Sequence, residues 1–463
     1  MKHLKVDYYL FIIGLLIITI YKEPEYAYIL ILPLLAISYY RVIVKRDITT
    51  VLILMLSARL IMGPFIINSN ISFNILNLVC NYVPILIILT YNFSSLKSIS
   101  NYKLNALKWT ILFLVFMLLL SLFHISYAIT EFAKEILPLL LFLLVVLSNG
   151  EKKINYHYLL KFFRYTFVAC LIIYISPDFY GQMYNLFSGG IIFKEPTYTI
   201  DLGVNRAIPR NMGFVFDFRI MTQLACLYLI LLYYLNKTKN YWDVALLIAV
   251  AVTTFSRGPL IILALLLLAV YLPKKIKITK RVLLVAFTSF IVLIGSIVYV
   301  LNDDNLQKFI STFNPFAEKN AFSQRGIFME YSLNKFYENP FGNGIGALSS
   351  PNADNKIYAG ITNLHKEIPD KVFYYSVTDT YLAMSLAEKG IIGFVLMLLS
   401  FTEIFYSKRN RISLMFLIGF YINLIGTDIP KQGFYYFVII LVYYGLSHLN
   451  STKNSLKNSI IQN

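Results

Sequence analysis

The chain has 463 residues, of which 58% are hydrophobic and only 14% charged, where a soluble globular domain carries roughly a quarter charged residues. That balance excludes water as the main solvent of the fold. The formal net charge of +17 does not point to nucleic acid, because the basic residues sit in short connectors between apolar runs, as positive-inside loops do.

In chain order, Lys2 and Lys5 precede an apolar stretch over 6–21, and Lys22-Glu23-Pro24-Glu25 follows it. A signal peptide would offer a small-residue cleavage site there, so the segment is read as a retained first span. Further apolar runs cover 111–120, 137–147, 260–270 and 282–300, several of them near the roughly 20 residues that cross a bilayer. Cys80, Cys170 and Cys226 each fall inside an apolar run without paired spacing, which indicates neither a disulfide framework nor a metal site.

Basic connectors alternate with weakly charged ones. The basic set holds Arg41, Lys45 and Arg46; Lys97, Lys103 and Lys108; Lys152, Lys153 and Lys161; Lys237 and Lys239; Lys274 to Arg281; Lys408, Arg409 and Arg411; and Lys453 and Lys457. These mark the cytoplasmic side. The alternation predicts an all-α membrane protein of about fourteen spans, a single membrane domain over 1–463 with both termini cytoplasmic. Its two long outer loops are 177–212 and 302–378, and long loops translocate largely regardless of their own charge.

The stretch 241–272 is interrupted only by Ser256-Arg257-Gly258-Pro259 and is flanked by basic connectors on both sides. Its two ends must then face one compartment, so it is a hairpin. Each arm has roughly 15 residues, about 22 Å of helix against a hydrocarbon core of about 30 Å. Arg257 is therefore expected below the outer surface, where it either snorkels to the headgroups or lines a watery cavity suited to a phosphate. Pro259 suits the first turn of the returning helix and Gly258 the bend.

In the first long loop Arg206 and Arg210 precede Asn211-Met212-Gly213, and Asp217 and Arg219 follow at the next span's outer end. Guanidinium groups there could hold a diphosphate bidentately, or be solvated and paired with Asp217. In the second loop, 323–338 reads as an amphipathic helix with Arg325, Met329, Leu333, Phe336 and Tyr337 on one side, ended by Asn339-Pro340. The alternation Gly342-Asn343-Gly344-Ile345-Gly346 predicts a turn able to offer backbone amides to an anion; it follows no strand, which rules out a dinucleotide site. His365, Glu367, Asp370 and Asp379 could each take a proton from a sugar hydroxyl. Simple solvation of His365 and a plain N-cap role for Asp379 are the competing readings.

Three segments together resemble the superfamily of O-antigen ligases and O-antigen polymerases. They are Arg210-Asn211-Met212-Gly213-Phe214, then Thr254-Phe255-Ser256-Arg257-Gly258, then Arg325-Gly326-Ile327 through Glu338-Asn339-Pro340-Phe341-Gly342-Asn343-Gly344, followed by Tyr381-Leu382, Glu388-Lys389-Gly390 and Ile391-Ile392-Gly393. The resemblance spans about 210–393. It implies an all-helical, inverting, metal-independent membrane glycosyltransferase without cofactor, acting on the outer face of the inner membrane. Its arginines would grip the lipid diphosphate, a role that falls on Arg210, Arg257 and Arg325. The implied partners are polyprenyl-diphosphate-linked oligosaccharides as donor and acceptor, membrane lipids and a chain-length regulator protein, but no nucleic acid.

Ligases of this superfamily place a histidine and an asparagine just before the tyrosine-leucine pair, and this chain has Thr378-Asp379. A polymerase is thus favoured over a ligase, with Asp379 in the base's place. A flippase for the same lipid is the rival from another class, but it needs no outer loop as long as 302–378.

Overall fold

In the computed structural model the described residues are 40, 48–49, 52–53, 101–123, 132–148, 154–175, 199–201, 207–209, 218–254, 256–271, 321–348, 381–407, 410–424 and 436–447. They form α1 (Asn101–Ala106), α2 (Lys108–Phe123), a π-turn (Phe132–Ile136), α3 (Leu137–Leu147), α4 (Tyr156–Ile175), α5 (Phe218–Tyr234), α6 (Tyr241–Thr254), α7 (Arg257–Tyr271), α8 (Ala321–Glu338), α9 (Tyr381–Phe405) and α10 (Arg411–Leu424), with α11 over Tyr436–Ser447. The fold is helical, as expected. The exception is a short antiparallel pair, β1 (Thr199–Asp201) with β2 (Ala207–Pro209), inside the first long connector.

Among the described residues one helix, α9, is long and apolar enough to cross a membrane by itself; α2, α5, α6, α7, α10 and α11 are shorter apolar helices. α5 is the centre, with residues 220–232 all buried and with α4, α6 and α7 packed around it. The outward sides of the surrounding helices are apolar as well: Leu119 and Leu122 on α2, Ile172 on α4, Val252 on α6, Leu268 on α7 and Ile392 on α9 are exposed. Helices that are hydrophobic all round suit lipid rather than water. Between helices in lipid, close van der Waals approach does the holding. Accordingly a Cβ on Gly419 of α10 would stand 3.0 Å from the Ile262 backbone of α7, and one on Gly393 of α9 would stand 2.4 Å from the Phe116 ring of α2.

Polar contacts fix the direction of each helix. The Tyr271 hydroxyl at the end of α7 donates to the Thr238 carbonyl (2.8 Å), so both ends of the α6–α7 unit return to one level. Asn410 Nδ2 donates to the Tyr234 hydroxyl (3.2 Å), and Arg411 Nη2 to the Leu268 carbonyl (3.3 Å). Ser407 and Ser447 hydroxyls lie 3.4 Å apart. Arg164 of α4 makes a bidentate pair with the buried Asp243 at the start of α6 (2.7 and 2.6 Å), whose carboxylate also accepts from the Tyr228 hydroxyl (2.6 Å) and Asn240 Nδ2 (2.8 Å). The connectors carrying Lys237, Lys239 and Arg411 therefore gather at one end of the bundle, here the basic end, and Lys108 joins them.

Glu403 near the end of α9 accepts the backbone N–H groups of Trp109 (3.2 Å) and Thr110 (2.9 Å) and the Thr110 hydroxyl (2.9 Å). A carboxylate on the orphan donors of a helix N-terminus stabilises by about 1 kcal/mol. Glu403→Ala is therefore expected to lower the melting temperature of the detergent-purified protein by a few degrees while sparing activity per molecule, since the cap lies at the basic end. An unchanged melting curve would contradict the assignment.

Candidate active site

The end opposite the basic connectors holds two polar clusters. The first is the turn between α6 and α7. As the sequence required, this stretch holds two helices of 14 and 15 residues, Tyr241–Thr254 and Arg257–Tyr271. The turn is clamped onto α5: the Thr222 and Thr254 hydroxyls lie 2.6 Å apart, the Thr254 hydroxyl also accepts the Ser256 N–H (3.3 Å), and Cys226 Sγ donates to the Pro259 carbonyl at 3.6 Å. Ser256 is buried, and its carbonyl accepts the Leu260 N–H (3.1 Å), which opens the first turn of α7. Arg257 is the first residue of α7, and Pro259 falls in that turn as expected. Arg219 stands one turn before Thr222 on the same side of α5, so the entrance of α5 and that of α7 adjoin.

The second cluster surrounds the entrance of α9. Tyr381, Ser385 and Lys389 repeat every fourth residue and share one side of this helix, and all three are fully buried. Lys389 Nζ lies 3.1 Å from Glu135 Oε1 and donates to the Ser385 hydroxyl at 3.0 Å. The Tyr381 hydroxyl donates to the same Glu135 oxygen, and the ammonium sits 5.1 Å from the Tyr381 ring centre. Glu135 comes from the π-turn before α3 and is itself buried. Sequence reasoning did not find Glu135: it is one of two acids in a short connector, 246 residues from Tyr381.

At Gly390 α9 kinks (φ 65°, ψ −178°), and the glycine turn 339–348 docks into the break. Ile391 N–H donates to the Pro340 carbonyl (2.9 Å), Asn343 N–H to the Ala387 carbonyl (3.0 Å) and Gly344 N–H to the Glu388 carbonyl (3.0 Å). Asn343 Nδ2 bridges the Lys335 and Ala387 carbonyls (3.1 and 2.9 Å). The turn does offer an amide to an anion, but the anion belongs to the chain: Leu348 N–H donates to the Glu388 carboxylate at 3.0 Å. Within 342–346 the Asn343 and Gly344 amides are taken by carbonyls of α9.

α8 ends at Glu338 before Asn339-Pro340, as the sequence indicates. Its packed side differs in part from the expected one. Tyr331 and Phe336 join the core and Ser332 is fully buried, while Met329 and Tyr337 are exposed. Among the described residues of this helix, which packs on α9, the small Ser332 is the fully buried one.

Of the residues expected to act on substrate, Arg257 lies at the turn just described and Arg325 in the first half of α8. Arg206, Arg210, His365 and Asp379 lie outside the described residues, although β2 separates the first two in sequence and Asp379 is two residues ahead of α9. Lys389, with no exposed surface, is committed to Glu135 and Ser385.

The sequence model of the O-antigen ligase family matches residues 242–398. No curated protein matches the chain. The matched stretch contains both the Ser256-Arg257 turn and the kinked entrance of α9, with the glycine turn between them, and leaves out Glu135, Arg206, Arg210 and Arg219. Residues 242–398 thus carry a domain of the O-antigen ligase family, which supports placing the chain in the superfamily of O-antigen ligases and polymerases.

Proposed function

We propose that the chain is a polymerase of polyprenyl-diphosphate-linked oligosaccharide repeat units, working on the outer face of the bacterial inner membrane. The observation that carries this reading is that the family-matched stretch holds both the Ser256-Arg257 turn and the α9 entrance, each at the end away from the basic connectors. On this reading that end faces outward, about fourteen spans place both termini in the cytoplasm, and 177–212 and 302–378 are the long outer loops.

In the reaction, the bond between the anomeric carbon of the growing glycan and the lipid diphosphate breaks. A hydroxyl of the incoming repeat unit attacks from the opposite side, inverting the centre, and its proton passes to Asp379, with His365 the second candidate. The polyprenyl diphosphate leaves with its negative charge held by Arg257, Arg210, Arg325 and Arg206. Such a leaving group is good already, so charge neutralisation and alignment suffice without a metal. A chain-length regulator is the expected protein partner.

The departure Thr378-Asp379, where ligases carry a histidine and an asparagine, favours polymerase over ligase. A gel of surface glycan from a deletion strain separates the readings. One capped repeat unit without a ladder is expected; loss of every repeat would indicate a flippase, and polymer left on the carrier lipid a ligase.

A further inference from the structure

The Glu135–Lys389 pair needs a reason. Both side chains are buried, and a buried ion pair is no more stabilising than well-packed apolar residues of the same volume. Stability alone does not account for it. What the pair supplies is geometry, because of where it sits. The kink at Gly390 cuts α9 into an outer piece, 381–389, and an inner piece, 391–405. Nine residues are too few to hold as an isolated helix, since fewer than about 12 are marginal even for good helix formers.

The outer piece is tied at both ends instead. Its C-terminal carbonyls at Ala387 and Glu388 are taken by the turn 343–344. Its side carrying Tyr381, Ser385 and Lys389 is drawn onto one carboxylate oxygen of Glu135. That carboxylate comes from a π-turn, a local widening of the helix that is found disproportionately at functional sites. Asp379 lies two residues before the tethered Tyr381.

We propose that Glu135 is a positioning residue for glycan transfer: tethered to Tyr381 and Lys389, it sets the entrance of α9, the helix that follows Asp379 in sequence. This rests on the polymerase reading and extends it to a residue outside the family-matched stretch. Glu135 acts through α9 and touches no substrate.

The test uses purified full-length protein in lipid nanodiscs and, as substrate, lipid-linked repeat units extracted from a strain lacking this chain. Tyr381→Phe and Glu135→Gln are expected to lower kcat by about 100-fold, the cost of misplacing a reacting group by about 1 Å, with KM unchanged. Glu135→Gln leaves the Lys389 ammonium unpaired and risks misfolding; the double variant Glu135→Gln/Lys389→Met removes that charge while keeping an acceptor for the Tyr381 hydroxyl. It should recover most of the lost kcat. A double variant as impaired as Glu135→Gln, in folded protein, would mean that the carboxylate's charge acts directly and would overturn the positioning role. So would a wild-type kcat in Tyr381→Phe, or a raised KM with kcat intact. If the wild-type protein does not elongate these lipids, the polymerase reading itself falls and this inference with it.

Discussion

Arg257→Ala is expected to abolish long polymer while leaving the amount of protein in the membrane unchanged. The argument starts from the backbone. The turn before Arg257 is fixed by the Thr222–Thr254 hydroxyl pair and by Cys226 on the Pro259 carbonyl, bonds made by other residues. Arg257 opens α7, where the unpaired backbone N–H groups of a helix start already favour an anion.

Removing one preorganised donor to a developing negative charge costs about 10²–10³ in rate, and polymer length multiplies that loss over successive additions. Arg257→Lys should retain part of the activity, since the charge stays but the planar two-pronged donor is lost. Arg210→Ala should behave as Arg257→Ala does. The measurement is the surface-glycan ladder with the membrane level of each variant. Wild-type chain length in both alanine variants would refute the diphosphate role, as would labelling of single cysteines at 210 and 257 from the cytoplasmic side.

How much of this was legible beforehand depended on whether a feature is local. The α6–α7 hairpin follows from one interruption in an apolar run and from the charges that flank it, and its arms have the expected length. The ends of α8 follow from Asn339-Pro340, a local steric rule. The packed side of α8 does so only in part, because it is chosen by a partner, α9, that lies far along the chain; spacing favoured Met329, Phe336 and Tyr337, and packing kept Phe336 and added Tyr331. The tether of α9 was hidden for the same reason. Glu135 looks like an ordinary acid at the edge of an outer connector, and Lys389 like part of a Glu-Lys-Gly string; only the three-dimensional arrangement makes them partners. The glycine alternation at 342–346 was visible, and what it meets was not.

That alternation leads to the other large effect. Gly390→Ala should dismantle the outer half of the site and lower the stability of the whole protein by several kcal/mol. Gly390 has φ 65° and ψ −178°, a region open in practice to glycine alone and costing other residues about 1–3 kcal/mol. A Cβ there would stand 2.3 Å from the Phe341 carbonyl carbon and 2.6 Å from the Gly342 nitrogen. Both are backbone atoms, so no side chain can swing aside. The matching surface is equally tight, since a Cβ on Gly342 would lie 2.7 Å from the Glu388 carbonyl oxygen, and Gly342→Ala should fail in the same way.

Relief comes only by releasing 339–344, which gives up the bonds from Ile391, Asn343 and Gly344, or by letting α9 run straight through position 390. A straight α9 carries Tyr381 and Lys389 away from Glu135 and leaves that carboxylate buried without its cation, a loss of about 3–5 kcal/mol. Either route predicts a lower membrane level, an earlier melting transition and no polymer. Wild-type melting together with a wild-type glycan ladder in Gly390→Ala would mean that the kink is not part of the working fold.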